Sequence, residues 1–125
     1  MKQAQKSGDA KGRRAELRAE ILLRLKGYQI LARRFKSGQG EIDLVARRGA
    51  VIAFIEVKFR ESADAAIESV SERQRRRILN AASAFIARHP KYAAITSRFD
   101  IIIVTNALLP RHLLNAWPAS EQNIW

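Results

Sequence analysis

The spacing of apolar residues near the start of the chain predicts a first helix over residues 12–26. The apolar positions recur at intervals of three and four residues, as they do on one face of a helix. The expected buried stripe consists of Leu17, Ile21, Leu22 and Leu25. Gly27 follows at once, and a glycine at this place typically ends a helix in the left-handed conformation.

Three segments with strand character come next, over residues 28–35, 41–46 and 51–59. Each contains β-branched or aromatic residues, and a loop with two glycines separates the first two segments. A turn around Arg48 and Gly49 joins the second and third segments. We therefore expect these two to be antiparallel neighbours.

A second long helix and a last strand complete the pattern. Ser71 is a suitable N-cap for the helix, and His89 before Pro90 is a suitable end. Residues 98–105 are almost continuously apolar, which favours a strand covered on both faces. The element order α-β-β-β-α-β predicts an α/β fold, a mixed sheet flanked by helices in which the long helix crosses over to the last strand.

The length of 125 residues indicates one folded domain, which we place at residues 12–105. Residues 1–11 are polar and basic and are expected to form a flexible tail. Residues 106–125 are expected to be a partly ordered C-terminal extension. Its tryptophans, Trp117 and Trp125, are more typical of packing than of base stacking. His89 and His112 are expected in loops or termini, far from any carboxylate cluster.

Charge is the strongest feature of the composition, with 23 Lys and Arg against 12 Asp and Glu and a net charge of +11. This excess predicts a polyanionic partner, most often nucleic acid, although a generally basic solvated surface is the alternative. The absence of cysteine excludes disulfides, thiolate metal sites and a thiol nucleophile. No apolar run suits a membrane helix and no secretory signal is present, so we expect a cytoplasmic protein without membrane contact.

Three charged residues interrupt the predicted strands, which normally bury apolar side chains: Asp43 in the second, Glu56 and Lys58 in the third. Burial of a charge is costly unless it is paired or binds a metal. Glu56 and Lys58 share a face of their strand, and the antiparallel neighbour can bring Asp43 close. Such carboxylates suit Mg²⁺ (or Mn²⁺), with Lys58 orienting water or stabilising developing charge. The alternative is that Lys58 only forms a surface ion pair with one of the carboxylates.

Both predicted helices carry further polar candidates. Glu16 and Glu20 lie one turn apart on the first helix, where they could simply be surface partners for arginines. The second helix begins with a dense set of donors that suits contact with phosphates. With Arg60 included, the predicted nucleic-acid-binding residues are Arg60, Arg73, Gln74, Arg76 and Arg77.

Residues 40–45 (GEIDLV) and 54–60 (FIEVKFR) together resemble the PD-(D/E)xK nuclease superfamily. More narrowly, the chain is similar to the uncharacterised bacterial YraN-like family, related to archaeal Holliday-junction resolvases. The resemblance covers residues 12–105 approximately. Ala15 stands where the family commonly has glycine, and Gln74 where it often has lysine.

This resemblance implies a restriction-endonuclease-like core in which Asp43 and Glu56 hold Mg²⁺ and Lys58 assists the attacking water. It also implies that Glu16 is the acid contributed by the first helix. The expected function is then a metal-dependent DNA endonuclease, selective for branched DNA, for which a homodimer would be suitable. The alternatives are a non-catalytic nucleic-acid-binding protein with a vestigial site and a subunit that docks an acidic protein.

Overall fold

Five strands form one mixed sheet with helices on both faces in the computed structural model, which describes residues 2–38, 40–106 and 109–117. The elements in chain order are α1 (Lys2–Leu25), β1 (Gln29–Ser37), β2 (Gly40–Arg48), β3 (Val51–Phe59), α2 (Ala63–Glu68), α3 (Glu72–Arg88), β4 (Thr96–Val104) and β5 (Arg111–Leu113), with a 3₁₀ turn at Pro90–Tyr92. The strands lie side by side in the order β1-β2-β3-β4-β5. The predicted mixed α/β sheet is confirmed, and it is consistent with a restriction-endonuclease-like core.

The pairing of the strands follows from their connections. Short turns join β1 to β2 and β2 to β3, and both pairs are antiparallel. The chain then crosses over through α2 and α3, so that β4 lies parallel to β3 from Val51 opposite Thr96 to Phe59 opposite Val104. β4 is buried from Phe99 to Val104, as its continuous apolar character predicts.

Each face of the sheet packs against its own hydrophobic core. The core on the α3 side contains Phe54, whose ring centroid lies 5.5 Å from that of Phe99 and 6.0 Å from that of Phe85. The core on the α1 side contains Leu23 and Leu44. The sheet is therefore covered on both sides, and the polar groups of a site must lie at its ends or in an opening between strands.

The predicted buried stripe of α1 is wrong. Leu17, Ile21 and Leu25 are 57%, 48% and 78% exposed, whereas the buried positions of the helix include Ala15, Ala19 and Leu23. Two alanines on the inner face allow the helix backbone to approach the sheet closely, which larger side chains would prevent. No helix in the described ranges is both long and apolar enough to cross a membrane.

The ends of the helices match their expected signals at two places. Gly27 has φ +87°, and the Tyr28 N–H donates to the Leu23 carbonyl at 2.9 Å, which closes α1 as predicted. Ser71 caps α3 by accepting the Gln74 N–H at 3.1 Å. α1 begins at Lys2 and so includes residues 2–11, which the sequence predicts as a flexible tail. Lys, Gln and Ala in this segment are good helix formers, although no apolar stripe marks it as helical.

Part of the C-terminal extension is ordered against the sheet. Trp117 is buried with its ring 5.8 Å from that of Phe99, which confirms packing, while Trp125 lies outside the described residues. The prediction that His112 lies in a loop or terminus is wrong, because it lies in β5, where its Nε2 is 2.8 Å from Oδ2 of the fully buried Asp100. Burial alone raises the pKa of Asp100, but hydrogen bonds from His112, Arg98 and a backbone N–H outweigh burial and lower it. These hydrogen bonds to Asp100 hold β5 against β4.

Gly40 brings the start of β2 into close contact with α3. A Cβ added to Gly40 would lie 1.9 Å from the carbonyl oxygen of Arg77, a backbone atom that cannot move aside alone. Gly40→Ala is therefore expected to lower the free energy of unfolding by about 1–3 kcal/mol, the usual range for overpacking. Urea denaturation measures this change, with Gly38→Ala as the matched control because a Cβ there meets open space. Equal losses in the two variants would contradict the close approach.

Candidate active site

The sheet opens between β2 and β3 at one end. The pairing of these strands extends to Leu44 opposite Ile55, beyond which β2 continues beside β1 to Gly40 and β3 continues beside β4 to Phe59. Asp43 and Glu56 are the first residues beyond the last pair, one on each side of the opening. The carboxylate Oδ2 of Asp43 accepts the Val57 N–H at 2.8 Å. This bond fixes the Asp43 side chain in the gap between the strands.

The carboxyl groups of Asp43 and Glu56 lie close enough across this opening for the charge of Asp43 to raise the pKa of Glu56. Burial first, and then the charge of Asp43, raise the pKa of Glu56 to about 8, although Lys58 opposes the change. Burial also raises the pKa of Asp43, against the opposing hydrogen bond from Val57. Two close carboxyl groups cannot both ionise cheaply without a cation, so the pair holds a proton near neutral pH.

Lys58 and Gln74 complete the polar cluster around Glu56. The Lys58 ammonium lies 3.4 Å from Oε1 of Glu56 and donates to Oε1 of Gln74 at 3.3 Å. The Gln74 amide in turn donates to the same Glu56 oxygen at 3.1 Å. The shared face predicted for Glu56 and Lys58 is confirmed. Gln74 reaches the cluster from the first turn of α3 and links that helix to the site.

Glu16 lies on the wall of the same cavity but is held by a different partner. A cavity of about 360 Å³ is lined by residues that include Glu16, Asp43, Glu56, Lys58 and Arg60. Nε and Nη2 of Arg34 donate to the two carboxylate oxygens of Glu16 at 3.1 and 3.0 Å. In the part of the chain that the structure describes, no three Asp, Glu or His side chains are grouped closely enough to hold a metal ion.

Glu20 lies one turn after Glu16 on α1 and forms ion pairs with arginines, which is the structural role that the sequence allowed for both glutamates. Arg33 donates to it at 2.8 and 2.5 Å, and Arg24 at 3.2 and 3.1 Å. The hydrogen bond from Arg33 is the largest effect on the pKa of Glu20, and the net shift is downward despite burial. Glu20 is therefore a paired carboxylate that joins α1 to β1.

The donor set of the opening suits a hard divalent cation. Asp43 and Glu56 offer carboxylate oxygens, and the cavity beside them has room for water and a phosphate. Mg²⁺ in proteins commonly uses one or two carboxylates and keeps several waters. Asp43 and Glu56 could thus hold Mg²⁺ or Mn²⁺, while both carboxylate oxygens of Glu16 accept hydrogen bonds from Arg34.

The predicted nucleic-acid-binding residues lie at the end of β3 and on the first turns of α3. Arg73, Arg76 and Arg77 are exposed on the first turns of α3, the helix whose Gln74 contacts Lys58. Arg60 is exposed at the end of β3 and lines the cavity. All four arginines are therefore exposed to solvent, and Arg60 lines the cavity beside the carboxyl pair.

Arg34 is the residue of this site that sequence reasoning missed. Its φ is +50°, a conformation uncommon for residues other than glycine, asparagine and aspartate. The only trace in the sequence is that Arg33 and Arg34 are consecutive in a strand, where their side chains should point to opposite faces. Instead both contact acids of α1.

Comparison with known proteins establishes the family. A profile described as "Uncharacterised protein family UPF0102" matches residues 15–104 of the chain. The chain belongs to the UPF0102 family. This confirms the YraN-like resemblance, and the matched residues span α1 from Ala15 to the end of β4, including all four predicted catalytic residues.

Relatives in this family match nearly the whole chain. A UPF0102 protein of Paramagnetospirillum magneticum is 50% identical over 118 residues, covering 91% of this chain and 92% of its own. A UPF0102 protein of Methylobacterium nodulans is 51% identical over 107 residues, covering 86% and 83%. One from a Bradyrhizobium strain is 50% identical over 109 residues, covering 87% and 77%.

Proposed function

We propose that this UPF0102 protein is a metal-dependent DNA endonuclease of the PD-(D/E)xK superfamily that hydrolyses phosphodiester bonds. The observation that carries the proposal is the Asp43–Glu56 carboxyl pair, with Lys58 beside it, in an opening of the sheet. Such a cluster of buried charges is costly to the fold, and a role in catalysis accounts for it better than stability does.

Each residue of the cluster has a role that its position supports. Mg²⁺ (or Mn²⁺) bound by Asp43 and Glu56 would polarise the phosphoryl oxygen and lower the pKa of the attacking water. The Lys58 ammonium lies close enough to orient that water and to stabilise charge that develops on the phosphate. Gln74 forms hydrogen bonds with both Lys58 and Glu56 and so fixes the positions of these two side chains relative to α3.

DNA is the proposed substrate because the charge of the chain and the arginines near the site suit a phosphate backbone. The net charge is +11, and the exposed arginines at the start of α3 can contact phosphates on either side of the scissile bond. Branched DNA such as a four-way junction would suit a homodimer, which places two such sites across two strands.

A second candidate function is a nucleic-acid-binding protein whose nuclease site is vestigial. The observation that favours it is the Arg34 pair with Glu16, in which Arg34 donates to both carboxylate oxygens of the third acid. In this case the protein would bind DNA with a steep dependence on salt and turn over no substrate.

A substrate panel tests the proposal. Single-stranded, duplex, flap and four-way-junction DNA are incubated with the protein in Mg²⁺, in Mn²⁺ and in EDTA. We expect cleavage of at least one substrate that requires the metal and stops in EDTA. Tight binding of all four DNAs without cleavage in either metal would favour the vestigial site instead.

A further inference from the structure

A second cavity adjoins the candidate active site across Glu16. It has a volume of about 310 Å³ and lies between α1 and the sheet. Its polar lining consists of Arg13, Glu16, Glu20, Arg33 and Arg34. Glu16 lines both cavities, so a strand of nucleic acid at the carboxyl pair would pass directly beside the second cavity.

The second cavity remains positive after its internal ion pairs are counted. Three arginines and two glutamates line it, and Arg24 adds a further positive charge on Glu20. Arg33 directs two N–H groups at Glu20, whereas a guanidinium has five, so donors of Arg33 remain for an anion. The side chains of Arg33 and Arg34 are both more than half exposed to solvent, at 59% and 51%.

The backbone at Arg34 shows that its side chain is held in this cavity against a local preference. A positive φ in an arginine costs free energy, and such residues are concentrated at functional sites and ligand clamps. The conformation brings Arg34 onto α1 beside Arg33, although consecutive strand residues normally point to opposite faces. The two guanidinium groups therefore converge on one cavity.

We propose that this arginine cavity, defined by Arg13, Arg33 and Arg34, binds a backbone phosphodiester next to the one that is cut. The inference rests on the proposed function, because it assigns the cavity to the same DNA strand. Forked guanidinium groups suit bidentate contacts with phosphate oxygens. Leu17, which is exposed on the rim, gives the adjoining sugar an apolar surface.

The test removes positive charge from the cavity by substitutions that add no backbone strain. Arg13→Gln and Arg34→Asn are combined, since asparagine tolerates a positive φ and Arg13 is exposed on α1. The matched control is Lys91→Gln with Arg111→Gln, which removes the same charge from exposed residues elsewhere on the surface. Circular dichroism and urea denaturation establish that each double variant is folded.

DNA binding is measured in EDTA by fluorescence anisotropy over a range of salt concentrations, so the result does not depend on cleavage. The cavity variant is expected to reduce the slope of log K against log salt by roughly 1, the contribution of the one phosphate that the cavity is proposed to bind. The control variant is expected to change the slope by much less. Equal slopes for the two variants, or no binding of DNA by the wild type, would overturn the proposal.

Cleavage in Mg²⁺ separates this proposal from the proposed function. If the wild type cleaves DNA while the cavity and control variants bind alike, the cavity assignment fails and the nuclease stands. If the cavity variant alone loses slope while the wild type cleaves nothing, the phosphate site stands and the nuclease fails.

Discussion

The stability of the metal-free protein is expected to fall by as much as about 5 kcal/mol between acid and mildly alkaline pH, and Glu56→Gln should abolish most of that fall. The pKa of Glu56 is raised from 4.5 to about 8 by burial and by Asp43. A difference of this size between the folded and unfolded states corresponds to about 5 kcal/mol. The Glu56 side chain is only 9% exposed, so solvent screens the effect little.

The direction of the change follows from proton binding. Below the unfolded pKa both states carry the proton, and the contribution of Glu56 to stability is fully present. Between 4.5 and about 8 only the folded state keeps the proton, so stability is lost as the pH rises through this window. The pKa values of Glu20 and Asp100 are lowered instead, and their contributions are lost only on the acid side.

Urea denaturation in EDTA at a series of pH values measures this effect. Glu56→Gln should give a flatter profile than the wild type and should be the more stable protein above pH 8. Glu41→Gln, an exposed position in the neighbouring strand β2, is the control and should follow the wild type. Parallel profiles for the wild type and Glu56→Gln would show that the buried carboxyl pair does not hold a proton.

The second large effect concerns metal binding by Asp43. Asp43→Asn keeps an oxygen that can accept the Val57 N–H, so the opening between β2 and β3 should persist. The amide brings no negative charge to a cation, however. We expect the affinity for Mn²⁺ to fall by more than the roughly 10- to 100-fold that follows loss of a supporting group around a metal.

Isothermal titration with Mn²⁺ checks this expectation, with Asp64→Asn, an exposed position on α2, as the control. The wild type should also release protons on binding near neutral pH, because the raised pKa of Glu56 leaves it protonated beforehand. The measured heat should then vary with the ionisation enthalpy of the buffer. Unchanged Mn²⁺ affinity in Asp43→Asn would remove Asp43 from the metal site.

Much of the sheet could be predicted because its strands have strong local signals. The hairpin of β2 and β3 follows from two apolar runs around Gly49, and β4 from its continuous apolar run. The inner face of α1 could not be predicted in the same way. Apolar spacing identified the face with the larger side chains, whereas packing on the sheet selected the alanines at 15 and 19.

The candidate site likewise contains residues that could be predicted from the sequence and contacts that could not. Asp43, Glu56 and Lys58 could be found because charges inside apolar strands are conspicuous, and strand geometry brings them together. The partners of Glu16 and Glu20 could not be found, because they depend on how α1 lies across β1 and on the positive φ of Arg34. The contacts of Gln74 with Lys58 and Glu56 likewise arise only once α3 docks on the sheet at Gly40.

Cleavage of four-way-junction and duplex DNA by the wild type, Asp43→Ala and Glu56→Ala, side by side in Mg²⁺, tests the central claim most directly. Removing either carboxylate should reduce the single-turnover rate by about 10³-fold or more, the scale of losing one main source of charge stabilisation at a reacting centre. Circular dichroism should show that both variants remain folded. Equal rates for the wild type and both folded variants would contradict a nuclease site at the Asp43–Glu56 pair.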